Sequence, residues 1–142
     1  MTAIAAALDV ALLADESVYT AGEALRCAEA GWADAISVKL MKCGGIGPAR
    51  ALDAVATAAG MPIYGGTLWE GGIALAAAAH MLAASPNATL GCEFYMPSLA
   101  LVQDVVADVL RAGGGFVHVP QGPGLGVAVD EAVLAAQTVG KA

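Results

Sequence analysis

Few side chains in this 142-residue chain can do chemistry, because only 13% of its residues are charged. Several of those that can lie at the ends of apolar runs. Residues 10–14 lead into Asp15 and Glu16. Residues 35–38 lead into Lys39, with Lys42 three positions on. The run from Pro62 ends in Gly65, Gly66 and Thr67, and residues 88–91 lead to Cys92 and Glu93. A carboxylate at a strand end is a hard oxygen ligand that suits Mg²⁺ or Mn²⁺. A lysine aimed into an apolar mouth has its pKa lowered by burial, so it can exchange protons near neutral pH; in its charged form it stabilises a nearby anion. Paired glycines allow close backbone approach. Gathered in one place, these groups suggest proton transfer at a carbon next to a carboxylate.

Each residue also has a plainer role. Asp15 suits a turn or helix cap, and Glu16 suits the surface or support for Asp15. Lys42 is expected to face solvent or cap a turn. His80 lies in an apolar helical stretch and reads as a packed histidine, while His118 decorates a strand. Trp32 and Trp69 read as packing residues, although Trp69, in GGTLWEGG, could line a pocket.

The elements that must position these groups alternate. Residues 2–8 are Ala-rich and helix-like. Strands are predicted over 10–14, 35–40, from Pro62 to the glycine pair, and over 88–91. Helices are predicted over 20–30 (N-cap Thr20, stop Gly31), 48–59 and 72–84. Strand and helix recurring about every 25 residues predict parallel βαβ units. Four in a row favour a (β/α) barrel, in which catalytic groups sit at the C-terminal strand ends; no GxGxxG follows the first strand. The rhythm breaks after Pro97. Residues 101–110 suit strand or helix, the glycines 113–115 a hinge or turn, 116–119 a strand, 121–126 a loop and 131–139 a helix.

Composition narrows the function. A net charge of −7 argues against nucleic acid as a partner. The apolar stretch at 73–84 is too short for a membrane span, which takes about 20 residues. Residues 1–14 lack the basic start and the small-residue cleavage site of a signal peptide, so the cytoplasm is the expected compartment. Cys27, Cys43 and Cys92 are read as reduced thiols.

Five stretches, LLADES (12–17), SVKLMKCGG (37–45), YGGTLWEGGI (64–73), GCEFYMP (91–97) and VPQGPGLGVAVD (119–130), resemble, in order, the C-terminal half of muconate cycloisomerases, the muconate-lactonizing enzymes of the enolase superfamily. The resemblance implies an α/β fold: the C-terminal half of a modified (β/α) TIM barrel over residues 1–97, about four βα units, followed by a return segment (98–142) that would pack on a capping domain. It implies Asp15 as a metal ligand on the fifth barrel strand and Lys39 as the catalytic lysine ending the sixth. Glu93 would be the acidic catalytic residue ending the eighth, with Gly65, Gly66 and Thr67 lining the substrate at the end of the seventh and Glu16 supporting Asp15. The implied cofactor is Mn²⁺ or Mg²⁺ and the implied substrate a small dicarboxylate. Cys92 replaces a threonine often seen before the glutamate.

The family's K-x-K lysines, its other two metal carboxylates and its capping domain are expected upstream of Met1. The isolated chain is therefore expected to have little activity. Related readings are a dipeptide epimerase or an o-succinylbenzoate synthase. A different class of reading is a non-catalytic half-barrel that assembles with itself or with a complementing N-terminal half.

Overall fold

The computed structural model of the chain describes residues 1–96, 101–107 and 110–140. After a short helix α1 (Thr2–Ala5) come β1 (Leu13–Ala14), α2 (Ala21–Ala30), β2 (Ala35–Val38), α3 (Leu40–Cys43), α4 (Ile46–Ala58), β3 (Ile63–Gly65) and α5 (Gly72–Ala83). The strands are parallel and lie side by side in chain order, β1-β2-β3. Right-handed crossovers that always step to the next strand keep their helices on one side. Accordingly α2 packs on α4 and α4 on α5. That is an arc of a (β/α) barrel; a doubly wound sheet would reverse its strand order.

Alternation along the strands sorts the side chains. Ala14, Ile36, Val38 and Ile63 face the helices and form the core with Ala24, Cys27, Ala49, Leu52, Ala56 and Met81. Burying each of the larger ones contributes about 1.5–3 kcal/mol. A Cβ built on Gly65 would run into Leu82 on α5, so Gly65 also faces the helices; one built on Gly66 would meet Ser37 and Lys39 on the opposite face. Register then places Leu13, Asp15, Ser37, Lys39, Tyr64 and Gly66 on the face away from the helices.

Local signals set the boundaries. The Thr20 side chain accepts from the Glu23 N–H, and Glu23 returns a bond to the Thr20 N–H, a capping box that starts α2; Gly31, at φ 60°, ends it. Three of the expected barrel strands need correction. The strand expected over 10–14 is two residues long, and Val10 and Leu13 are exposed, because β1 is an outer strand with its far edge uncovered among the described residues. The strand expected to reach Leu40 stops at Val38. One helical turn there puts Leu40 and Cys43 together in the core, three positions apart. The strand expected over 88–91 is reduced to a single parallel bridge between Gly65 and Cys92, since Gly91, at φ 83°, interrupts the extended chain just before it.

The tail packs back on α5. Leu110 is buried with Leu75 and Ala79, and Val117 and Val119 pack against them. The hairpin β4 (Arg111–Gly113) and β5 (Phe116–His118) turns through Gly114 and Gly115, both at positive φ as a two-residue turn of this hand requires. The final helix α6 is Glu131–Gln137, two residues shorter than expected, and is capped by the Asp130 side chain. Residues 101–107 are irregular apart from one antiparallel bridge, Val106 to Val129. Asp104 fastens them by accepting from the Gly72 N–H at 2.6 Å, at the start of α5. His80 holds the glycine-rich loop, its Nε2 lying 3.2 Å from the Leu125 carbonyl. Pro97, where the rhythm breaks, and Asp108 and Val109, within the apolar run, lie outside the described residues.

Candidate functional site at the strand ends

The C-terminal ends of β1 and β2 bring three of the singled-out residues into direct contact. The Lys39 Nζ lies 2.7 Å from Asp15 Oδ2 and 3.0 Å from Glu16 Oε1, with its side chain 7% exposed. Glu16 is the outermost member, 61% exposed at its side chain. The end of β3 shapes the space around Lys39. A Cβ on Gly66 would fall 2.5 Å from Ser37 Oγ and 2.9 Å from Lys39 Cγ, so this position leaves room only for hydrogen.

Thr67 and Glu93 come together through backbone. The buried Thr67 hydroxyl donates to the Glu93 carbonyl at 3.3 Å and accepts from the Tyr95 N–H at 3.1 Å. The Glu93 N–H donates to the Gly65 carbonyl at 2.8 Å. Thr67 is thus a strut between β3 and the segment carrying Glu93. The Glu93 carboxylate lies near the Tyr64 hydroxyl, whose pKa is raised by burial and by that negative charge. Trp69 packs as a stacked pair with Tyr95, ring centroids 5.0 Å apart, but is 68% exposed at the rim.

The electrostatics differ from the sequence reading in two ways. Burial alone would depress the Lys39 ammonium, but hydrogen bonds to Asp15 and Glu16 and their charges outweigh it. Lys39 is therefore held above the ordinary lysine value, not lowered toward neutrality. Lys42, expected to face solvent or cap a turn, has a buried side chain: it is 2% exposed and its Nζ donates to the Asp15 carbonyl at 2.7 Å, the Ser37 carbonyl at 2.7 Å and Asp15 Oδ1 at 3.3 Å. Burial pushes its pKa down, and the Asp15 carboxylate only partly restores it. The signal in the sequence was the cost of an ammonium placed one helical turn from a strand end, beside apolar neighbours. Glu70 was also missed. It is buried and accepts a hydrogen bond from the Leu68 N–H, which shapes the turn between β3 and α5.

Asp15 is pulled both ways as well. Burial raises its pKa, but the hydrogen bonds and charges of Lys39 and Lys42 hold it below the ordinary carboxylate value. Among the described residues no group of three or more His, Cys, Asp or Glu is placed to hold a metal ion. Asp15 is a single hard ligand, and both its oxygens already accept from ammonium groups. On its own residues the chain does not fit a divalent cation. The open cluster is also distinct from a cavity of about 590 Å³ lined by Thr2, Leu8, Asp9 and Asp34, which lies at the opposite ends of the strands.

A barrel arc with a carboxylate and a lysine at adjacent strand ends defines a class of α/β protein in which chemistry is placed at the barrel mouth. The chain belongs to the family described as enolase C-terminal domain-like, which it matches over residues 1–133. It is 42% identical over 118 residues to muconate cycloisomerase 1 of Rhodococcus opacus, covering 83% of this chain and 31% of that protein. The crystal structure of a muconate cycloisomerase from Azorhizobium caulinodans is similar at 52% identity and TM-score 0.84, covering 95% of this chain and 38% of that one. The substrate-liganded L-Ala-D/L-Glu epimerase from Bacillus subtilis is similar at 36% identity and TM-score 0.79, covering 87% and 34%. The chain thus spans about a third of the length of the curated relatives it matches and corresponds to the C-terminal half of the enolase-superfamily barrel. Among the described residues no helix is long and apolar enough to cross a membrane.

Proposed function

We propose that this chain supplies one wall of the active site of a metal-dependent cycloisomerase that interconverts cis,cis-muconate and muconolactone. In the lactonizing direction a substrate carboxylate oxygen adds to the conjugated double bond. A C–O bond forms, and the electron pair moves to the carbon next to the other carboxylate, giving an enolate-like species. A proton delivered to that carbon completes the lactone. Lys39, kept charged by Asp15 and Glu16, would stabilise the developing negative charge. Glu93 would sit beside the substrate, and the Gly65-Gly66-Thr67 turn would let backbone approach it. Asp15 would give one carboxylate to Mn²⁺ or Mg²⁺, the other ligands and the main proton-transferring lysines coming from residues outside this sequence. Residues 1–97 would form the barrel part and 98–142 the return segment. With three free cysteines, the reducing cytoplasm is the compartment that fits.

The observation that carries this reading is Lys39 itself: a buried ammonium at a strand end, its passage kept open by Gly66 and its partner on the neighbouring strand end. The test uses the chain alone and the chain fused behind the matching N-terminal part of a muconate cycloisomerase. The loss of substrate absorbance is followed with Mn²⁺ and cis,cis-muconate. The chain alone is expected to be inactive and the fusion active. Lys39→Met in the fusion should lower turnover about 10²–10³-fold with metal binding near normal; unchanged turnover overturns the assignment. A second reading, epimerisation of a dipeptide, is favoured by the similarity to the Bacillus subtilis epimerase. Turnover of L-Ala-L-Glu but not muconate by the same fusion would select it. An o-succinylbenzoate synthase activity is separated in the same way, by substrate.

A further inference from the structure

Among the described residues, Lys42 is the one buried ammonium that the proposed chemistry leaves without a task. Its surroundings are specific. The β1–β2 ladder ends at the pair Ala14 and Ile36. The next residues, Asp15 and Ser37, present carbonyls at the point where the ladder has stopped. The Lys42 Nζ reaches both at 2.7 Å and spends its third proton on Asp15 Oδ1 at 3.3 Å. An ammonium has three donors, and all three are used. The Tyr19 ring closes another side, its centroid 5.7 Å from Nζ.

The Asp15 carboxylate is thereby shared by two lysines through different oxygens. Oδ1 is turned to Lys42, inside the structure, and Oδ2 to Lys39, at the mouth. A carboxylate gripped at one oxygen and at its own backbone carbonyl cannot rotate freely. We propose that Lys42 is a positioning residue: it clamps the end of β1 to β2 and fixes the Asp15 carboxylate so that Oδ2 faces the barrel mouth. This deepens the proposed function and rests on Asp15 belonging to the site.

Two roles must be separated, because Lys42 could simply staple the strand ends through the two carbonyls. NMR of the isotope-labelled chain at fixed neutral pH distinguishes them. In Lys42→Met the Asp15 ¹³Cγ resonance should move while the amide resonances of β3 stay in place. An unmoved Asp15 ¹³Cγ in a folded Lys42→Met chain overturns the proposal. If that variant fails to fold, Asp15→Ala gives the reciprocal observation. It removes the carboxylate but leaves both carbonyls, so the Lys42 ¹⁵Nζ resonance should shift, and an unmoved signal overturns the proposal equally. Neither readout depends on turnover. Absence of the proposed activity from the unmutated fusion, with these shifts present, would indict the functional reading and leave the clamp standing.

Discussion

Replacing Gly66 with alanine tests how closely the strand ends are fitted around Lys39. The backbone there is ordinary, so the cost is steric. The added methyl would lie 2.5 Å from Ser37 Oγ, 2.9 Å from Lys39 Cγ and 3.0 Å from Lys39 Cε. The tightest contact is with the buried Ser37 hydroxyl, which must turn aside, and relief of the other two requires movement of Lys39. Moving it stretches the 2.7 Å contact with Asp15 and the 3.0 Å contact with Glu16. Overpacking of this kind costs about 1–3 kcal/mol. For a chain of this size that lowers the thermal midpoint by roughly 3–10 °C. Urea unfolding followed by circular dichroism reads it directly. Gly47→Ala is the control: it lies in α4 with nothing within 4 Å of the new Cβ, and should be neutral or stabilising by up to about 1 kcal/mol. A Gly66→Ala midpoint equal to the wild type would mean that Lys39 has slack, and the argument for a fitted lysine would fail.

Thr20→Ala removes the cap of α2 and should cost about 1 kcal/mol in the same unfolding assay; no loss would show the capping box to be idle. Asp104→Ala frees the Gly72 and Val106 N–H groups and should expose residues 101–107 to limited proteolysis while the strands stay intact; unchanged cleavage refutes that fastening. Because Asp15 binds its proton more weakly folded than unfolded, its contribution is complete above the ordinary value of 3.8 and is lost as pH falls through the lowered folded value. Lys39→Met should therefore flatten the acid limb of stability against pH, and an unaltered limb would mean that the pair does not hold that carboxylate. Lys39 acts in the opposite direction: its contribution is present below 10.5 and fades only as pH rises past its raised folded value.

The order of elements was legible because each carries its own punctuation. Thr20 and Gly31 bracket one helix, Pro48 in its first turn and Gly60 beyond its end mark another, and the glycine pairs follow two predicted strands. The barrel arc followed from four apolar runs at even spacing. What the sequence hid was set by contacts between residues far apart. Length alone could not show that β1 would be an outer strand of two residues, since its burial depends on a neighbour across the sheet. Residues 88–91 look like a strand, yet the positive φ of Gly91 and the hold of Asn87 on Asp53 and the Met61 carbonyl decide otherwise.

The two lysines make the point most sharply. Both follow the same strand, three residues apart, and composition gives them identical chemistry. Lys39 leaves β2 toward the mouth and meets two carboxylates, which raise its affinity for its proton. Lys42 starts one turn later, folds back between two carbonyls and receives only one oxygen of a shared carboxylate, so desolvation wins and its affinity falls. The opposite shifts come from the balance of burial and partners and not from the residue type. Asp15 serves both lysines, so a change at any one of the three must be felt by the other two. A strand-end lysine can therefore be found from sequence by its position, whereas its proton affinity depends on the neighbouring strand.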